Sequence, residues 1–261
     1  MMSINNNIVL ILTGCVIPNV DDDIVVADYN IRKQMYIDSI KWYLIHTNYK
    51  IVFCENSGID LSDFFTCDID NGRLEILTYK SSKENADRSK GYKEMEIMEH
   101  VYRDLKFVKW GDSVKITERL KLLNIREFIP FLESVLVKNK TGFVSAFLNG
   151  KRPGSDCRFF FFSYEFFPFL LSMKERICYA HCFEHVLADS VAAAKQAKLK
   201  FAYPNHVPRV DGIGSMGYVY NISDKQYYRK DRIHQLRRVL FNIGILPLHR
   251  TDKGNRPILF M

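Results

Sequence analysis

"IVLILTGCVIP" (Ile8–Pro18) opens with five aliphatic residues in succession and ends in Thr-Gly and a proline. An uninterrupted apolar run this short, closed by turn residues, predicts a strand buried on both faces, as in a parallel sheet. The run falls well short of the roughly 20 residues needed to span a bilayer. It also lacks the basic start of a signal peptide.

Outward from this strand the texture alternates. Residues 30–47 carry Met35, Ile37, Ile40, Tyr43 and Leu44 on one helical stripe. "YKIVFCENSG" (49–58) and "RLEILTYK" (73–80) read as further strands, and "KEMEIMEHVYRDL" (93–105) as a helix. Residues 113–136 predict a strand followed by a helix whose entrance lies near Thr117, with Thr117 as a candidate cap. "TGFVSAFLNG" and "RFFFFSYEFF" are strand signals, and residues 175–198 an alanine-rich helix. Strand–helix alternation favours an α/β fold with a mainly parallel sheet flanked by helices. After about Lys200, residues 203–221 read as a Gly/Pro-rich loop and residues 224–246 as a basic amphipathic helix. The expected division is residues 1–200 as the main domain and 201–261 as a C-terminal loop and helix.

The formal charge is +7, which favours anionic partners such as nucleotides, nucleic acid or acidic membranes. The six cysteines form no CxxC pair, consistent with reduced thiols in a cytoplasmic chain. Cys178, His181, Cys182 and His185 do not match a standard zinc spacing. With no GxGxxG and no Walker A sequence, classical dinucleotide and P-loop binding are disfavoured.

In parallel sheets ligands bind beyond the carboxyl ends of the strands, which singles out Thr13, Gly14, Glu55 and Asn56. Arg32, after the first strand, suits a bidentate grip on a diphosphate, or it is a solvated helix-start residue. "SKGYKEMEIMEH" puts Lys90 and Gly91 at a helix entrance, where backbone N–H groups already suit an anion. The alternative is an exposed helix laced with ion pairs. Lys115 and Arg119 add positive charge near a second expected entrance. Asp156 and Arg158 precede the aromatic strand, as a diphosphate-end site or as a turn ion pair. Glu184 stands in an apolar helix start, as a general base or as a buried partner for an arginine.

Together these stretches resemble a family: the small glycosyltransferases of bacterial capsule and O-antigen clusters, some of them galactofuranosyltransferases. The likeness rests on "ILTGCVIP", "IRKQMYIDSIKWYL", "IVFCENSG", "SKGYKEMEIMEH", "VKITERLKLLN", "SDCRFFFF", "FEHVLA" and "PRVDGIGSMGYVY", in order along most of the chain. Lys93 and Glu118 stand where the family's usual KGYGE and KITGR carry glycine. The resemblance implies a GT-A-like, Rossmann-type fold, a nucleotide-sugar donor (a UDP-sugar) and a lipid-linked oligosaccharide acceptor at the inner membrane face. It places Thr13, Gly14, Arg32, Glu55 and Asn56 at the nucleotide, and Lys90, Gly91, Lys115 and Arg119 at the diphosphate. Asp156 takes the place of the metal-binding acidic motif, for Mg²⁺ or Mn²⁺, with Arg158 as a substitute for the metal. Glu184 becomes the base. The basic C-terminal helix is then a peripheral membrane contact, and no nucleic acid is expected. A basic nucleic-acid-binding protein and a non-catalytic subunit of a polysaccharide complex are the rival readings.

Overall fold

The computed structural model of the chain describes residues 5–18, 24–81, 88–104, 112–117, 119–138, 141–148, 154–202, 204–214, 217–221, 223–242, 249–251 and 257–259. The opening run forms strand β1 (Asn5–Gly14), at the centre of a seven-stranded sheet. Its alternation explains why no polar residue interrupts it. Ile8, Leu10 and Leu12 enter one apolar core, with Tyr36, Ile37, Ile40 and Tyr43 of α1 (Tyr29–His46). Val9 and Ile11 enter a second core on the opposite face, with Met95, Met98 and Val101 of α3 (Lys90–Asp104). A strand sandwiched between two helical layers has no solvent face to decorate.

The chain then runs through β2 (Tyr49–Glu55), the short α2 (Thr66–Asp70) and β3 (Leu74–Thr78) before reaching α3. Strand β4 (Asp112–Thr117) returns beside β1. Farther along, β6 (Thr141–Leu148), β7 (Gly154–Phe162) and β8 (Lys200–Ala202) complete the sheet, in the order β3-β2-β1-β4-β7-β6-β8. β1, β2, β3 and β4 are parallel; β7 runs antiparallel to both β4 and β6. The expected α/β class with a mostly parallel sheet flanked by helices is the observed one. The four phenylalanines of β7 divide between the cores: Phe159 and Phe161 on the α1 side, Phe160 and Phe162 on the α3 side. Fully burying each such ring contributes about 1.5–3 kcal/mol.

Three local expectations are corrected. No helix begins at Thr117. That residue ends β4, and after a turn comes β5 (Leu120–Leu122), then α4 (Ile125–Leu132), which continues as a π-helical segment Glu133–Lys138. Leu120 and Leu122 are both buried, with Lys121 between them partly exposed, so this short stretch has strand period. Residues 203–221 are not all loop: β9 (Val210–Ile213) and β10 (Val219–Asn221) pair with each other, and β9 pairs with β5. The C-terminal stretch therefore shares a sheet with the main domain. The alanine-rich helix α6 (Phe183–Gln196) begins only at Phe183, after the short α5 (Phe167–Ser172), a 3-10 turn and a Cys178–His181 bridge. The basic helix is α7 (Asp224–Asn242), and β11 (His249–Thr251) pairs with β12 (Pro257–Leu259). The expected turn at residues 149–153 lies outside the described residues.

Asp112 opens β4. Burial, with Glu165 nearby, raises its carboxyl from 3.8 to about 7. The folded state holds this proton more tightly than the unfolded chain does. The contribution to stability is therefore complete below pH 3.8 and is lost as pH rises through about 7. Asp112→Asn is expected to raise Tm at pH 8 and leave it nearly unchanged at pH 4. Equal shifts at both pH values in thermal denaturation would contradict this assignment.

Candidate functional site

The carboxyl ends of β1, β2 and β4 open onto a solvent-connected cavity of about 140 Å³. Thr13, Gly14 and Cys15 line it from β1, Asn56 from the end of β2, and Thr117 and Arg119 from the end of β4. Lys90, Lys93, Glu94 and Ile97 come from the first turns of α3, and Arg32 and Tyr36 from α1. The parallel register sets this convergence: Thr13 sits beside both Cys54 and Thr117, and Gly14 beside Glu55.

Of the predicted residues, Thr13, Gly14, Arg32, Asn56, Lys90 and Arg119 share the cavity wall. Arg119 is 8% exposed, and its Nη1 has no hydrogen-bond partner among the described residues. A buried, unmatched guanidinium donor is costly, so its persistence points to a ligand acceptor. Asn56, also buried, offers an equally unmatched Oδ1 on the same wall.

Arg32 and Glu55 are corrected to a different task. Arg32 donates from Nε to Val16 O (3.0 Å), from Nη1 to Val26 O (3.0 Å) and from Nη2 to Cys15 O and the Tyr36 hydroxyl. Four of its donor contacts are thus fixed on the chain itself, which leaves no bidentate fork for a diphosphate. Glu55 is fully buried. Its carboxylate accepts from Val16 N (2.8 Å), Ser57 N (2.9 Å) and Ile59 N (2.9 Å). These two charges hold the loops after β1 and β2 in shape.

Lys115 lies beneath the cavity rather than on its wall. Its side chain is 0% exposed. It donates to Glu94 Oε1, to Thr117 Oγ1 (3.0 Å) and to Cys157 O (2.6 Å). Gly91 serves packing. A Cβ there would meet Phe183 Cβ at 2.9 Å and Phe183 N at 3.1 Å, so the close approach is between helices α3 and α6. Ser89 accepts from Tyr92 N at the start of α3.

Asp156 and Arg158 lie within β7, not before it, where the register against β6 shifts. A bulge of this kind commonly re-aims side chains near functional sites. Asp156 Oδ1 accepts from Arg158 N (3.0 Å) and Nε (2.9 Å), and Oδ2 from Nη2 (2.6 Å). Arg158 thus takes about three of the four acceptor positions of this carboxylate. One carboxylate so engaged, with no further acidic ligand beside it among the described residues, does not fit a metal by itself. Among the described residues no three His, Cys, Asp or Glu side chains converge as metal ligands. In the Cys178–His185 stretch, His181 pairs with Asp189 at 3.0 Å and Cys182 Sγ contacts His185 Nδ1 at 3.4 Å.

Glu184 accepts from the Cys157 thiol at 3.1 Å. Burial pushes its carboxyl up, but hydrogen bonds from Cys182 and Cys157 and the charge of Lys115 outweigh this and hold it below 4.5. Burial in turn drives the Cys157 thiol well up, so it remains a neutral donor. Glu184 thus connects to the cavity floor through Cys157 and Lys115.

Sequence reasoning left Lys93 open between an anion site and surface ion pairs and gave Glu94 no role at the ligand, and both line the cavity. The signal was their place within one helical turn of Lys90, on the helix entrance already singled out.

No family model matches the chain, and no curated protein does. Among solved structures it is similar to a protein from Desulfovibrio desulfuricans G20 named as a nucleotide-diphospho-sugar transferase, at 12% identity and TM-score 0.43, over 77% of this chain and 80% of that one. It is similar to a 4-diphosphocytidyl-2C-methyl-D-erythritol synthase at 7% identity and TM-score 0.43, over 88% and 99%. It is also similar to core-mannan synthase A of Aspergillus fumigatus in an Mn/GDP form, at 9% identity and TM-score 0.42, over 90% and 84%. Likeness at this level carries no weight in assigning an activity.

Two substitutions separate ligand binding from folding. Arg119→Met is expected to hold or raise Tm, because an unmatched buried donor disappears, while pyrophosphate binding falls at least tenfold by calorimetry. Gly91→Ala is expected to destabilise by about 1–3 kcal/mol in urea titrations, because Phe183 must shift. A neutral Gly91→Ala would disprove the packing role.

Proposed function

We propose that the protein is a glycosyltransferase that moves a sugar from a nucleotide donor, a UDP-sugar such as UDP-galactofuranose, to a lipid-linked glycan acceptor in capsule or O-antigen synthesis. One observation carries the reading. A buried arginine with an unmatched donor, Arg119, lines a cavity together with Lys90 and Lys93, at the carboxyl edge of a parallel sheet. Such a cavity suits an extended anionic ligand with a polar head. Asn56, with its unmatched acceptor, suits the nucleoside, and the cations suit the diphosphate.

In this reading Thr13 and Gly14 let the donor approach the end of β1. As the bond from the sugar's anomeric carbon to the β-phosphate oxygen breaks, negative charge grows on the departing diphosphate. Arg119, Lys90 and Lys93 offset that charge where it develops. The acceptor hydroxyl forms the new bond to the anomeric carbon and gives its proton to a base. That role falls to Glu184, which stands outside the described cavity lining, behind Cys157, so the acceptor must approach from that side. Lys115 supports this arrangement from below by fixing Glu94 and Cys157. Asp156 holds Arg158 against the ring of Tyr220, at 4.9 Å, which keeps a guanidinium beside β4.

A lipid-linked acceptor requires approach to a membrane. No helix among the described residues is long and apolar enough to cross one. On α7, Tyr228, Ile233, Leu236 and Val239 are exposed, and Lys225, Arg229 and Arg232 are exposed among them. Tyr227 and His234 on the other side are buried. An aromatic and aliphatic face mixed with cations suits shallow insertion among anionic lipids.

A thermal-shift screen of nucleotide sugars tests the reading. The right donor at 100 times its Kd stabilises by about 2.7 kcal/mol, which is several degrees of Tm for a chain this long. No response to any nucleotide sugar or nucleoside diphosphate would overturn it. The role of Glu184 has its own check. Because hydrogen bonds and the charge of Lys115 lower its carboxyl, kcat is expected to show no acid limb in the neutral range. Glu184→Gln is expected to lower kcat by about 100-fold or more. A limb near pH 6 to 7, by the estimate for an ordinary histidine, would assign the base elsewhere.

A further inference from the structure

Among the described residues, Glu94 is the one carboxylate lining a cavity that also presents Lys90, Lys93 and Arg119. Its setting is built. Lys115, fully buried, donates to Oε1, as do the hydroxyls of Thr13 (3.3 Å) and Thr117 (3.4 Å). Every one of these contacts falls on Oε1, so the second oxygen, Oε2, is left for whatever enters the cavity. The cavity lining also carries two polar atoms unmatched among the described residues, Arg119 Nη1 and Asn56 Oδ1. The cavity is therefore prepared for a ligand that both donates and accepts.

A carboxylate only accepts hydrogen bonds. It repels phosphate oxygens, and the surrounding Lys90, Lys93, Arg119 and Lys115 repel a metal cation. What remains is a neutral donor, and the neutral donors of a nucleotide sugar next to its diphosphate are sugar hydroxyls. We propose that Glu94 is a specificity-determining residue whose Oε2 accepts a hydrogen bond from a sugar hydroxyl of the donor, with Lys115 as the positioning residue that fixes the carboxylate. The inference rests on the nucleotide-sugar reading above. Two parts of the donor carry such hydroxyls, the ribose and the transferred sugar. A site that bonds a hydroxyl discriminates strongly against a ligand that lacks it, because its polar group is then left unmatched.

Removing Glu94 alone strands the buried ammonium of Lys115 and endangers the fold. The test therefore uses the double variant Glu94→Leu/Lys115→Met, with Glu94→Asp as a second variant, each checked for a cooperative melt. Calorimetry measures inorganic pyrophosphate, UDP, 2′,3′-dideoxy-UDP and UDP-galactose against each protein. Wild type is expected to favour UDP over the dideoxy form by about tenfold or more if the ribose is the source. If the transferred sugar is the source, it is expected to favour UDP-galactose over UDP by a similar factor. In the double variant that preference disappears while pyrophosphate affinity stays within about threefold, and Glu94→Asp keeps part of it. A folded double variant with wild-type preferences overturns the role of Glu94 and leaves the nucleotide-sugar reading standing. A wild-type protein that binds pyrophosphate and none of the nucleotides overturns both.

Discussion

The ion pair between Lys115 and Glu94 is the contact on which the site depends. A lysine side chain with no exposure cannot keep its charge without compensation, because desolvating an ammonium costs several kcal/mol. Here the compensation comes from the Glu94 carboxylate of α3, the Thr117 hydroxyl of β4 and the Cys157 carbonyl of β7, while Thr13 of β1 donates to the same Glu94 oxygen. One buried cation thus sets how far the entrance of α3 stands from the sheet edge. Gly91, pressed against Phe183, sets its separation from α6. Between them these two constraints fix the floor and one wall of the cavity.

The other wall is held by charges of the opposite pattern. Arg32 is saturated with backbone carbonyls, and Glu55 with backbone N–H groups. Such bonds satisfy the polar backbone of tight loops from which Val16 also enters the core. They turn the segments after β1 and β2 into rigid supports. Against that background the unmatched atoms of Arg119 and Asn56 stand out. In a cavity where neighbouring charges are paired, two orphans on one wall mark where the ligand completes the structure.

The Asp156–Arg158 pair changes how diphosphate charge is handled in the proposed reaction. A carboxylate engaged by a guanidinium on both oxygens contributes little net charge. Fixed organic cations then carry the electrostatic load. Their positions are preorganised by helix α3 and by the turn between β4 and β5, and no reorientation is needed as charge develops.

By itself the sequence determined the α/β class. An apolar run without alternation can only be a strand covered on both faces, and Met35 to Leu44 can only cover it as a helix. It also located the edge of the sheet where a ligand belongs, because Thr13, Gly14 and Asn56 directly follow buried strands. What it left undecided was which charges face that ligand. Lys115 and Arg119 are four residues apart and look equivalent on paper. Strand period buries the first beneath the floor, and the turn before β5 carries the second onto the wall. Arg32, Glu55 and Asp156 read as ligand groups by residue type. For Arg32 and Glu55 only the folded chain brings in the carbonyls and amides that occupy them, from up to 39 residues away in the case of Glu55 and Val16. The Arg158 partner of Asp156, by contrast, is two residues along and was legible as an ion pair. The partners of Glu94 were hidden for the same reason: Lys115, Thr13 and Thr117 come from β4 and β1, and nothing local announces them. Periodicity is a local property and was legible in the sequence. The pairing of charge is a long-range one, and tertiary structure alone decided it.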